Sequence, residues 1–269
     1  MSARSVLRAA PTVLRVGLAE AVAYRAELLV WVLTTTMPFV MLAIFSAAAI
    51  DGPIGRYGQT ELAAYFLATF VVRQITGSWA GWQINVDVRE GTLATRMLRP
   101  LHPLVAYALE HAAAIPMRAL AAAPVVVILL ATSARSGLSR DPVSWLLLLV
   151  SLALAWLLTI FINFAIGCLA FFIDSSQRVL EVYLAVFFVA SGYLVPLDVF
   201  PPAARRALSL MPFRHQVALP VEIFVGRYDG RAAALAVELA QQAGWTLVAL
   251  GLVALAWTRG VRRYGAFGG

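Results

Sequence analysis

Few side chains in this sequence can do chemistry. The single cysteine, Cys168, sits inside an apolar run, so neither a disulfide framework nor a cysteine metal site is available. The histidines, His102, His111 and His215, are scattered without the H-x-x-x-H spacing of a metal pair. There is no H-E-x-x-H, no G-x-S-x-G and no acidic metal cluster, which leaves a hydrolase nothing to work with. All 21 basic residues are arginine. Without lysine the chain cannot carry a Walker A loop, whose lysine reaches the β- and γ-phosphates. The sequence therefore predicts no catalytic residue, no metal and no cofactor on this chain.

What remains is a small set of polar residues inside long apolar runs: Arg73, Gln74, Glu110, His111, Arg118 and Asn163. Charge at membrane depth is costly and marks function by default. Glu110 is expected to pair with Arg73 or with Arg118, and the sequence does not choose between them. His111 and Arg118, seven residues apart, share a helix face. These residues read as the polar lining of a pathway or a pair that breaks during a transport cycle. They read equally as ion pairs that lock two helices, or as side chains that snorkel to the interface. Asn163 reads as interhelical glue.

The elements that must position them follow from composition. Some 61% of residues are hydrophobic and 13% charged, against about 25% charged in a soluble domain. Apolar runs of about 20 residues, the length that crosses a bilayer core, recur along the chain. The expectation is an all-α polytopic membrane protein, one domain over 1–269. Residues 2–26 read as an amphipathic helix lying in the interface. It sets Arg4, Arg8 and Arg15 against Val6, Leu7, Ala10, Val13, Leu14 and Ala21. This is no signal peptide, because Arg15, Glu20, Arg25 and Glu27 precede any apolar core. Six spans are expected, at about 28–50, 61–84, 104–132, 143–173, 179–197 and 232–258, with Pro38 kinking the first. Even span number and arginine placement, including Arg259, Arg262 and Arg263, put both termini in the cytoplasm. The net charge of +7 reads as orientation signal rather than nucleic-acid binding. Gly77 and Gly81 form a small-xxx-small pair, and Trp79, Trp82, Trp145 and Trp257 suit an aromatic belt.

Two segments do not fit a plain bundle. Residues 86–99, VDVREGTLATRMLR, are too charged and too short to span, and they place Val88, Leu93 and Met97 at near-helical spacing. They predict a cytoplasmic helix that stops before Pro100 and Pro103. Residues 194–230 carry Pro196, Pro201, Pro202, Pro212 and Pro220. These prolines preclude a continuous helix, and the pieces between them suit re-entrant or interfacial helices at the mouth of a pathway.

The stretches REGTLATRMLRPLHP and SGYLVPLDVFPPAARRALSLMPFRHQVALPVEIFVGR, with the order of spans around them, resemble the permease subunits of type-2 ABC exporters. The likeness covers essentially the whole chain. It implies a coupling helix over about 86–99, seated in a groove of a separate ATPase subunit. Asp87, Arg89, Glu90, Gly91, Thr92, Leu93, Arg96 and Leu98 would form that contact. It further implies an outer gate over about 198–230, shaped by Pro196, Pro201, Pro202, Pro212 and Phe213. ATP and Mg would belong to the partner, two ATPase copies per transporter, and a second permease, identical or paralogous, would complete the pathway. The setting would be a bacterial inner membrane. The cargo would be hydrophobic or amphipathic: a drug, natural product, lipid or glycolipid. The alternative is an ion-coupled secondary transporter or channel using Glu110, His111 and Arg118, which the lack of an evident inverted repeat speaks against.

Overall fold

The computed structural model describes residues 3–23, 33–174 and 176–267. Among them the regular structure is helical, with no strand; one isolated bridge joins Ile54 to Tyr57. The α-helices are α1 (Ala3–Ala23), α2 (Met37–Ala48), α3 (Gln59–Thr76), α4 (Ala80–Arg89), α5 (Thr92–Met97) and α6 (Pro103–Ala113), then α7 (Ile115–Ala131), α8 (Pro142–Gly167), α9 (Ser176–Ala190), α10 (Pro202–Ser209), α11 (Ala218–Phe224) and α12 (Ala232–Phe267). Three helical stretches are long and apolar enough to cross a bilayer: Pro103–Ala131, Pro142–Phe171 and Ala232–Tyr264. They fall on the third, fourth and sixth expected spans, and they make this a membrane protein.

The other expected spans look different. The start of the first lies in residues 24–32, outside the described residues, as do Arg25 and Glu27. Its described part is α2, where Pro38 sits in the first turn. A proline there has no helical hydrogen bond to lose, so it starts the helix rather than kinking it. The second is interrupted: α3 ends at Thr76, and α4 begins at Ala80 after Gly77, Ser78 and Trp79. The expected fifth span, 179–197, is helical only to Ala190. Gly192 then adopts φ +82°, and a Cβ there would meet Ala218 Cβ and the Tyr65 hydroxyl at 2.8 Å. Only glycine allows both that backbone and that approach.

α8 is the hub, packing against α12, α4, α11 and α3. α3 is buried on nearly every face from Leu62 to Thr76, as a helix apolar all round should be. α4 and α8 meet through glycine. A Cβ on Gly81 would lie 2.8 Å from the Asn163 carbonyl, and one on Gly167 would lie 3.0 Å from the Gly81 carbonyl. The small residue thus serves a contact within the chain, and Asn163 accepts from the Gly81 amide at 3.4 Å. α1 lies against α6, where Gly17 faces Ala113; the side chains of Arg4 and Arg8 lie outside the described ones. At one end of the bundle Cys168, fully enclosed, shares a cluster with Ile84, Leu93, Tyr107, Phe164 and Trp257. Trp257 therefore packs inward on Phe171 and His102 rather than serving a lipid-facing belt.

Candidate functional site

The segment 86–99, expected as one helix, is two. α4 runs to Arg89, Glu90 and Gly91 form a corner, and α5 follows. Gly91 stands at φ +77°, a left-handed conformation that side chains with a Cβ resist. Thr92 braces the corner, its hydroxyl donating to Asp87 Oδ1 at 2.8 Å. The tip is exposed: Arg89, Glu90, Gly91, Thr92 and Met97 face out, and Leu98 is 88% exposed. Leu93, which the family resemblance placed in the partner contact, points the other way. Its side chain is fully buried beside Val88 and Tyr107, an anchor contributing about 1.5–3 kcal/mol.

Behind the tip Arg96 makes a cross-tie. Its Nε lies 2.8 Å from Asp87 Oδ2, and its Nη1 donates to Glu110 Oε1 at 2.7 Å. The guanidinium sits 4.4 Å from the centre of the Tyr107 ring, and the Tyr107 hydroxyl donates to Asp87. Burial opposes the charge on Arg96, but the bond to Glu110 and the fields of Glu110, Tyr107 and Asp87 hold its pKa above the ordinary value. Glu110 therefore pairs with neither Arg73 nor Arg118. The Pro100–Pro103 turn folds α5 back beside α6 and brings Arg96 to it first.

The polar chain continues inward. Gln83 Nε2 donates to Glu110 at 3.2 Å, and Gln83 Oε1 lies 3.2 Å from His111 Nε2. Arg118 donates to the carbonyls of His111 at 3.1 Å and Gly77 at 2.6 Å. Its guanidinium lies over Trp79, which in turn packs edge-on against His111. The shared face of His111 and Arg118 is thus used, and Arg118 satisfies a carbonyl freed where α3 stops. Contiguous bonded groups link the exposed corner at Thr92 to the break at Gly77.

A cavity of about 340 Å³ opens at that break. Arg73, Ser78, Trp79, Trp82 and Asn163 line it from one side, and Gln177, Glu181, Phe188 and Tyr193 from the other. Gln74 is not on the lining, but it donates to Thr35 Oγ1, which is, at 2.6 Å. Of the expected intramembrane residues, Arg73 and Asn163 line the cavity, while Glu110, His111 and Arg118 belong to the relay beneath it.

The proline-rich segment forms a separate assembly. Pro196 precedes a single 3-10 turn, Pro201 caps α10, and Pro202 is its first residue. α10 has no buried residue, whereas α11 is buried almost throughout. Pro212 and Phe213 join them, and Phe213 lies against Tyr183 of α9. The sequence reading missed what holds this segment. Asp198 takes two bonds from Arg227, at 2.8 and 3.0 Å, and one from the Tyr57 hydroxyl at 3.0 Å. Buried Glu222 pairs with Arg214 at 2.8 Å and with Arg227 at 2.7 Å, and Arg214 also reaches Glu238 on α12. Burial works against Arg214 and Arg227, but Glu222 and the neighbouring acidic groups outweigh it and raise both pKa values. One glutamate in the apolar run LPVEIF was the available signal.

A protein-family model described as an ABC-2 family transporter protein matches residues 31–268. A comparison with curated proteins finds no match.

Proposed function

The chain belongs to the ABC-2 transporter family, which makes it a permease component of an ABC transporter and not itself an enzyme, and from that premise we propose that it forms half the substrate pathway of an ATP-driven exporter. Hydrolysis falls to a separate ATPase chain, in keeping with the absence of lysine here. Six spans with both termini cytoplasmic, two ATPase copies and a second permease complete the proposed assembly in a bacterial inner membrane. Its cargo is hydrophobic or amphipathic.

The observation that carries this reading is the exposed tip at 89–98 mounted on a braced base. A nearly fully exposed leucine on the same exposed segment as Arg89 and Glu90 suits a protein groove, where an apolar knob is buried and charges set the register. The tip is no loose linker. Arg96 ties it to α6, and Leu93 seats it in the core, so force applied there moves α4 and α6 together. When ATP draws the two ATPase subunits together, they press on these tips. The movement reaches the break at Gly77 and alters access to the cavity as a largely rigid-body shift. On the far side, α10, α11 and the ion network around Asp198 and Glu222 form the outer gate.

Purification in mild detergent tests the proposal. A protein carrying a Walker A motif is expected to accompany the chain in stoichiometric amount, and Glu90→Arg or Arg89→Glu is expected to lose it without unfolding the permease. Recovery of the chain alone, under conditions that keep other ABC complexes intact, rejects the coupling role. The ion-coupled reading through Glu110, His111 and Arg118 then takes its place.

A further inference from the structure

The cavity at the α3–α4 break carries a positive charge that the described residues do not neutralise. Arg73 is only 9% exposed. Among the described residues its guanidinium has neither a hydrogen-bond nor a carboxylate partner, only the Phe187 ring at 5.0 Å. A second buried guanidinium approaches the same corner. A Cβ on Gly77 would lie 3.4 Å from Arg118 Nη1 and 3.5 Å from Arg73 Nη1. Arg118 bonds to neutral carbonyls, so its charge is not cancelled either. Among the described residues, Glu110 is committed to Arg96 and Glu222 to Arg214 and Arg227. Among the described residues Glu181 is the one carboxylate on the lining; it is exposed on α9 and forms no ion pair with Arg73.

Two like charges buried without a counter-charge are costly, and arginine persists at such depth when it faces a cavity that a partner can fill. A guanidinium offers a planar fork of donors matched to carboxylate or phosphate oxygens. The neighbouring walls are aromatic and aliphatic, with Phe188 and Leu184 on α9 and Trp82 opposite, half-exposed at the mouth. At about 340 Å³ the space lies near the lower end for ligand sites. It takes a headgroup and a few carbons, with a longer body leaving past Trp82.

We infer that this cavity receives an amphiphile with an anionic headgroup, a carboxylate or phosphate, seated on Arg73 with its apolar body along Trp82 and Phe188. The inference rests on the permease reading and names its class of cargo. The test uses the full chain with its ATPase partner in phosphatidylcholine nanodiscs. Dodecyl phosphate, laurate, dodecyltrimethylammonium, dodecyl maltoside and inorganic phosphate are titrated while tryptophan fluorescence is followed. Trp82→Phe identifies the component arising at the cavity. Dodecyl phosphate and laurate are expected to saturate it at concentrations at least about tenfold below those of the cationic and neutral probes. Arg73→Gln is expected to erase that difference and Arg73→Lys to keep part of it. Equal binding of dodecyltrimethylammonium, or unchanged dodecyl phosphate binding in Arg73→Gln, overturns the inference. So does saturation by inorganic phosphate alone, which makes the ligand a free anion. If Arg73→Gln fails to fold, the headgroup comparison on the unaltered chain decides. Loss of the ATPase during purification rejects the coupling reading and leaves the binding comparison intact.

Discussion

Replacing Arg96 with glutamine removes one guanidinium and strands two carboxylates. Asp87 and Glu110 have side chains 15% and 27% exposed, so water reaches them only in part. Hydrogen bonds to charged groups contribute about 1.5–3 kcal/mol each, while fully exposed ion pairs contribute about 0–1 kcal/mol. Two bonds at intermediate exposure place the loss from Arg96→Gln at about 2–3 kcal/mol. Glu110→Gln breaks one arm and keeps an acceptor for Gln83, so it should cost roughly half as much. Because both changes remove the same bond, the double variant should fall short of their sum by about 1 kcal/mol. Equilibrium unfolding of the purified chain in mixed detergent micelles, followed by circular dichroism, measures all three. If Arg96→Gln stays within about 0.5 kcal/mol of the unaltered chain, or if the two changes simply add, the cross-tie carries no load. In the assembled transporter, Arg96→Gln should retain the ATPase yet weaken its stimulation by cargo. Glu90→Arg, at the tip itself, should lose the ATPase outright.

Leu98→Ser should leave unfolding of the isolated chain within about 0.5 kcal/mol, because its side chain touches little of the permease; co-purification should show ATPase recovery falling by about tenfold or more. Gly81→Val should cost more than about 3 kcal/mol, since even a Cβ collides with the Asn163 carbonyl at 2.8 Å; a wild-type melting curve for that variant would show that α4 and α8 do not cross there. Glu222→Gln should destabilise by about 3–5 kcal/mol, leaving Arg214 and Arg227 short of their shared buried counter-charge. Faster proteolysis around residues 198–230 is its expected signature, and an unchanged cleavage pattern would remove the network from the account of the gate.

The helical class was legible because composition and apolar runs fix it, and the arginine-only chemistry pointed away from nucleotide hydrolysis. The position of the charged interruption between apolar stretches was legible too. Its shape was not. Near-helical spacing of Val88, Leu93 and Met97 suggested one apolar stripe, but the corner at Gly91 turns Leu93 into the core while Met97 stays exposed. The partner of Glu110 was hidden for a related reason. Helix periodicity compares residues on one element, whereas Arg96 arrives from another across a proline turn. The cavity was invisible for want of any motif: it exists because α3 stops at Thr76, and nothing in ITGSW announces a break within an apolar run. In the proline-rich segment the breaks were readable from Pro196 to Pro212, whereas Pro220 lies in the first turn of α11, where a proline costs no helical hydrogen bond. The pairing of Asp198 with Arg227 needed the folded chain, because residues 29 apart have no local signature.

The burial of Cys168 has a practical consequence. It is the chain's one thiol, and α4, α5, α6 and α12 close over it, so water-soluble maleimides meet no accessible native thiol. A cysteine installed at Leu98, or at the rim of the cavity, would then be the single labelled position without any prior removal of native residues. A fluorophore placed there would turn the tip into a reporter, reading whether its surroundings change when nucleotide is added.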